Sequence, residues 1–174
     1  MVSSEITIRQ TDSLTADEDH QLFEWGENIF GDDLFDIQWR PKEVHFLLSV
    51  GGELVSHVGA LKHPIKLDQR LLIVGGVGGV VTIPSAQRQG YASQLLRHVV
   101  QVFQQEWQVE AGILFCSPAK QAFYESLGWQ PVTCPVWVEQ PKGRMVSRLP
   151  VMIMPFQSIE ISSVGLLDLQ SQPW

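Results

Sequence analysis

A run of glycine and valine that closes on a proline turn and then opens into a helix constrains this chain more than any other feature. Residues 75–83 read Gly-Gly-Val-Gly-Gly-Val-Val-Thr-Ile, followed by Pro84-Ser85-Ala86-Gln87-Arg88-Gln89-Gly90-Tyr91-Ala92-Ser93. The first half is apolar and suits a buried strand, with glycines that let another group approach its backbone closely. After the loop, Leu95, Leu96, Val99, Val100, Phe103 and Trp107 recur with helical spacing and form one apolar face. Strand, glycine loop and helix start together make an anion site, because the first amides of a helix have no intrahelical acceptor and point outward.

What surrounds this unit narrows the class of protein. A chain of 174 residues holds one domain with a sizeable core and is short for two. We therefore expect a single domain over 1–174, with 157–174 as a C-terminal extension. The formal net charge is -7, and no block of Lys and Arg offers a local basic patch; this argues against a nucleic-acid partner. Cys116 and Cys134 build no disulfide framework and show no metal-ligand spacing, so no metal is expected. Residues 1–20 are polar and acidic, and no apolar run reaches membrane-spanning length. A reduced, cytoplasmic setting with no membrane partner follows as the expectation.

Periodicity predicts one α+β domain with a mixed sheet. A short strand is expected over 5–9, then a helix beginning among Asp17, Glu18 and Asp19, carrying Leu22, Phe23, Trp25, Ile29 and Phe30, and stopping near Gly31. Carboxylates in its first turn suit the positive end of the helix dipole. Two strands at 44–50 and 53–62 join at Gly51-Gly52 as a hairpin. A turn is expected from Pro64 to Gln69, and the long apolar strand runs over 70–82. Residues 111–116 read as an interior strand, a helix starts at Pro118 and ends before Gly128, and 129–138 and 148–156 read as closing strands. His57 shares a strand face with Val55, Gly59 and Leu61, where a hydrogen-bonded core role and a catalytic role both stay open.

Two motifs carry a resemblance. Gln87-Arg88-Gln89-Gly90-Tyr91-Ala92 fits a (Gln/Arg)-x-x-Gly-x-(Gly/Ala) signature, with Pro84 three residues ahead of it. Downstream, Ala122-Phe123-Tyr124-Glu125-Ser126-Leu127-Gly128-Trp129 places an aromatic-Tyr pair before Gly and an aromatic residue. In this order, separated by a helix and an apolar strand, they resemble the GNAT superfamily of N-acetyltransferases. Across nearly the whole chain the sequence is similar to the aminoglycoside 2'-N-acetyltransferase branch, through Gly79-Val80-Val81-Thr82, Leu127-Gly128-Trp129-Gln130-Pro131 and a tail ending in Trp174.

The resemblance implies a GNAT fold: a mostly antiparallel central sheet, splayed between its fourth and fifth strands, with helices on both faces. It also implies acetyl-CoA as co-substrate and a small-molecule amine as acceptor. Gln87, Arg88, Gln89, Gly90, Tyr91, Ala92 and Ser93 would hold the pyrophosphate, and the freed backbone around Val80, Val81 and Thr82 would pair with the pantetheine arm, as an added strand would. Tyr124 would act as general acid for the departing thiolate. The general base is not assigned: the narrower branch carries a glutamate where this chain has Gly78, and Asp32, Asp33, His57, His63 and the carboxyl of Trp174 are candidates. Asp33 matches an acidic acceptor contact of that branch, whereas Gln38 and Gln172 stand where acids are expected, so the acceptor is expected to differ. Transfer of a longer acyl chain and a non-catalytic acyl-CoA-binding module remain alternatives, and the apolar tail is compatible with a dimer-forming strand.

Overall fold

The computed structural model of the chain describes residues 4–27, 29–30 and 36–174. In chain order the elements are β1 (Ile6–Thr11), α1 (Ala16–Phe23), β2 (Val44–Val50), β3 (Glu53–Leu67), β4 (Arg70–Thr82), α2 (Tyr91–Gln105), β5 (Ala111–Phe115), α3 (Gln121–Ser126), β6 (Gln130–Pro131), β7 (Val136–Val138), β8 (Met145–Val146), β9 (Val151–Pro155) and β10 (Leu167–Asp168). All the described strands form one sheet with the path β6-β9-β5-β4-β3-β10-β7-β8, and β2 and then β1 attach to β3 beside that path. Most pairs are antiparallel; β4 with β5 and β10 with β7 are parallel. The expected α+β class and mixed sheet are borne out.

Helices cover both faces. On one face, Leu95, Leu96, Val99, Val102 and Phe103 of α2 pack with Phe46, Leu48, Val58, Ala60, Val77 and Leu114, and this cluster extends to Tyr124 and Trp129. On the other, Leu22 of α1 packs on Leu47 and Val81. A second cluster on that face gathers Leu61, Ile65, Leu72, Val74, Ile113 and Trp174.

The glycines of the central strands admit bulky neighbours on both sides. A Cβ on Gly75 would collide with the Phe103 ring, and one on Gly112 would lie 2.8 Å from Trp129. On the opposite face, a Cβ on Gly76 would strike the Trp174 indole, and Gly59 and Gly78 lie directly beneath the Lys42 side chain. Close approach to a glycine strand is thus used first by the protein's own aromatic and aliphatic groups.

Four boundaries differ from the periodicity. Helix α1 ends at Phe23 rather than near Gly31, because the Trp25 indole N–H turns back to the Leu22 carbonyl at 2.7 Å and captures an acceptor of the last turn. Strand β3 continues through Pro64 to Leu67 instead of turning there. Proline is tolerated where a ladder does not need its N–H, and Pro64 lies between the β2 partner at Ala60 and the β10 partner at Lys66, with β4 alone beside it. The turn comes later, at Asp68, whose backbone is left-handed (φ 52°) and whose carboxylate accepts the Gly165 and Leu166 amides. The expected strand over 129–138 is split: β6 pairs with β9, while β7 pairs with β8 and β10.

Candidate functional site

Strand β4 keeps β5 as a neighbour only from Val74 to Val77, opposite Ala111 to Leu114. From Gly78 to Thr82 it remains a strand beside β3 but has no described strand on its other side. Beyond Leu114 the other strand turns its amides elsewhere, the Cys116 N–H going to the Pro150 carbonyl at 3.0 Å. The two parallel strands therefore part in the middle of the sheet, as the family resemblance implies. Burial relaxes at the same point: Val74 to Val77 are buried, whereas Gly78, Gly79 and Val80 are half-buried.

A bulge lies at the start of this opening. Gly59 pairs with Gly78 and His57 with Val81, so Val58 faces two residues, Gly79 and Val80. Gly79 takes the left-handed backbone that such a bulge requires, with φ 58°. His57 pins it: its Nδ1 lies 2.6 Å from the Gly79 carbonyl. A carbonyl can only accept, so Nδ1 donates and the neutral ring keeps Nε2 as an acceptor, which the Nδ1–H of His45 on β2 reaches at 2.8 Å. The Phe23 ring stands edge-on to the imidazole at 5.1 Å. His57 is 1% exposed, and this burial, helped by the nearby charges of His45 and Lys42 and opposed by the Gly79 bond, holds its pKa down at about 4.

At the far end of the opening, Pro84–Ala86 forms a 3₁₀ turn and the chain enters α2 through Gly90. Gly90 is the N-cap in the left-handed region (φ 84°), it brings no capping side chain, and a Cβ there would meet nothing within 4 Å. The amides of Tyr91, Ala92 and Ser93 consequently have no acceptor among the described residues. Arg88 is also left-handed, at φ 61°, and Gln87, Arg88 and Gln89 are exposed. Two side chains shape the loop from within: Gln87 Nε2 donates to the Thr82 carbonyl at 3.0 Å and Gln89 Nε2 to the Ser85 carbonyl at 3.2 Å. An uncapped 15-residue helix with open space before it suits a phosphate.

Helix α3, in the chain after β5, carries Tyr124, 7% exposed and packed against Phe123 at 5.0 Å and Trp129 at 6.4 Å between ring centroids. Burial, with the neighbouring Cys116 as a second cause, raises its hydroxyl pKa above the ordinary tyrosine value. Its hydroxyl therefore stays protonated at neutral pH. The Cys116 thiol is likewise pushed up to about 11 by burial, which keeps it protonated and weakly nucleophilic.

Asp32 and Asp33 lie outside the described residues. His63 is occupied structurally, with Nε2 on the Leu169 carbonyl at 3.0 Å and Nδ1 2.8 Å from Arg40. Where the narrower branch carries its acid, the space over Gly78 is taken by another of the candidate bases: a Cβ there would lie 2.8 Å from the carboxyl carbon of Trp174 and would also strike Lys42. Gln38 is clamped through its backbone by the side chain of Gln140, at 2.8 Å and 3.0 Å. Sequence reasoning missed His45, Lys42 and the bulge at Gly79. His45 had a usable signal, since a hairpin at Gly51-Gly52 puts it on the strand beside His57; the bulge had none, because one more glycine in a glycine run is not distinctive.

Among known proteins, the model of the acetyltransferase (GNAT) domain family matches residues 12–132. The chain is 28% identical over 142 residues to an aminoglycoside 2'-N-acetyltransferase of Mycolicibacterium fortuitum, covering 78% of this chain and 71% of that enzyme. It is similar in fold to the GNAT family N-acetyltransferase YhbS of Escherichia coli, solved in complex with CoA, with TM-score 0.60 and 16% identity over 96% of this chain and 91% of that one. A GNAT family acetyltransferase of Brucella melitensis, solved in complex with acetyl-CoA, matches with TM-score 0.57 and 12% identity over 94% and 95% of the two chains. The family match takes in β4, the loop, α2 and Tyr124 together, and the chain belongs to the GNAT acetyltransferase family.

Proposed function

We propose that the protein is an N-acetyltransferase that moves the acetyl group of acetyl-CoA directly to an amine of a small molecule. The observation that carries this reading is the parting of β4 from β5 at Val77, which leaves the strand edge over 78–82 running straight to the uncapped start of α2. That path fits an extended pantetheine arm along the strand and a pyrophosphate on the amides of Tyr91, Ala92 and Ser93. The open direction at Gly90 leaves room for the phosphates, and Arg88 and Gln89 flank them. Similarity to an aminoglycoside enzyme supports a small amine as the acceptor class, with an acceptor other than a polycation favoured by Gln38 and by the glycine at 78.

Chemically, the acceptor nitrogen attacks the thioester carbonyl, the C–N bond forms, and the C–S bond breaks. Backbone amides at the bulge polarise the carbonyl, and Tyr124 supplies the proton that the departing thiolate takes up. The proton released by the amine leaves to a base or to water. Asp33 is a candidate for that step.

The test is an acetyl-transfer assay over a panel of small amines, read as free thiol release. Turnover on at least one amine is expected. Tight acetyl-CoA binding with thiol release no faster than background hydrolysis for every amine would instead indicate a binding module. In the active protein, Tyr124→Phe should lower kcat by roughly 10²-fold while acetyl-CoA affinity stays nearly constant. Equal losses in both would make Tyr124 a packing residue.

A further inference from the structure

We propose that His57 is a positioning residue for acetyl transfer: by holding the Gly79 carbonyl, it aims the next amide, that of Val80, at the thioester. The proposal rests on the acetyltransfer reading above and concerns one peptide group of this chain.

Several observations converge on that group. The bulge doubles the residues opposite Val58 and leaves the Gly79–Val80 peptide outside the regular β3–β4 register. Such a peptide is free to rotate unless something holds it. The holder is His57, at 2.6 Å from the Gly79 oxygen. A trans peptide is planar, with its C=O and N–H directed oppositely, so fixing the oxygen toward His57 turns the Val80 N–H away from it. Gly79 is the residue that permits the arrangement: it is left-handed at φ 58°, and a Cβ there would come within 3.3 Å of the His57 ring.

The imidazole is itself held by two neighbours. His45 donates to its other nitrogen at 2.8 Å, and the Phe23 ring meets it edge-on at 5.1 Å. The titratable and charged groups bearing on this pair are Lys42 ahead of β2, His45 on β2, and Asp19 and Glu18 on α1, the two acids acting on His45. With Nδ1 donating and Nε2 accepting, His57 has no free lone pair with which to take a proton from an acceptor amine. Its contribution is orientation.

Three substitutions separate the hydrogen bond from the packing. His57→Asn places an amide N–H at about the reach of Nδ1, His57→Gln places one at about the reach of Nε2, and His57→Leu keeps only bulk. The spectroscopic readout is the infrared carbonyl stretch of acetyl-CoA labelled with carbon-13 at the thioester, free and bound; a pointed amide lowers it. Wild type and His57→Asn should share the downshift and differ little in kcat. His57→Gln and His57→Leu should lose it, with kcat falling roughly 10- to 100-fold and the KM for acetyl-CoA hardly moving. The Asn and Gln pair carries the comparison if the Leu variant does not fold. A downshift that persists in His57→Gln, equal losses in the Asn and Gln variants, or no downshift in wild type overturns the proposal. A wild-type protein that shows the downshift, loses it in His57→Gln, and yet acetylates no amine keeps the positioning role and removes the acetyltransfer reading.

Discussion

At the scale of single residues, the buried His57–His45 pair gives the protein a measurable dependence on pH. His57 is held near pKa 4, chiefly by burial, whereas an unfolded histidine titrates near 6.5. Between these values the unfolded chain binds a proton that the folded one refuses. The contribution to stability is therefore complete above about pH 6.5 and is lost progressively toward pH 4, amounting at most to about 3 kcal/mol. Urea melts at pH 7 and pH 4.5 should show a larger loss for wild type than for His57→Asn, since carboxylate titration is common to both and cancels. An equal loss would mean the histidine is not desolvated in the fold. Tyr124 and the Gln87–Ser93 loop were legible at this scale because each motif is contiguous in the chain. For His45 only the neighbouring strand was legible, through the hairpin; its Nδ1–H bond to His57 depends on the register of the two strands.

At the scale of elements, the start of α1 is set by local chemistry: Thr15 accepts the Glu18 amide while the Glu18 carboxylate accepts the Thr15 amide, a reciprocal cap within four consecutive residues. Its end could not be read from the pattern, because the Trp25 indole bond that stops it competes with an apolar pattern that continues through Ile29 and Phe30. Helix α2 shows the opposite arrangement at its N-terminus, with Gly90 in place of a capping side chain. A β-branched residue suits the left-handed backbone poorly, so Gly90→Val should destabilise the fold by about 1–2 kcal/mol. It should also weaken acetyl-CoA binding by far more than that strain alone would suggest, because the new side chain projects into the space left for phosphates. Calorimetric titration with CoA beside a thermal melt separates the two effects; unchanged affinity would place the pyrophosphate elsewhere.

At the scale of the whole molecule, the C-terminal segment is part of the sheet rather than an appendage to it. Strand β10 fills the place between β3 and β7, and Arg40 donates its backbone N–H to the Pro173 carbonyl at 2.7 Å. Trp174 is 2% exposed, beneath β4 against Gly76, with Phe115 and His63 edge-on to its ring. Trp174→Ala should cost about 3–5 kcal/mol, read as a drop in urea midpoint. A loss below about 1 kcal/mol would mean the indole is not anchored there.

What the sequence determined by itself is what short-range chemistry specifies: a glycine loop between strand and helix, a helix start without a capping side chain, an aromatic-Tyr motif that together with the loop carries the resemblance to the family, and an α+β pattern. What only the tertiary structure decided is how the glycines are used. Gly75 and Gly112 make room for Phe103 and Trp129, while Gly76, Gly78 and Gly59 make room for Trp174 and Lys42. Which large side chain fills a missing Cβ depends on groups up to about a hundred residues away, brought together by strand register and helix packing. A glycine in the sequence records only that space is needed; the fold determines what occupies it.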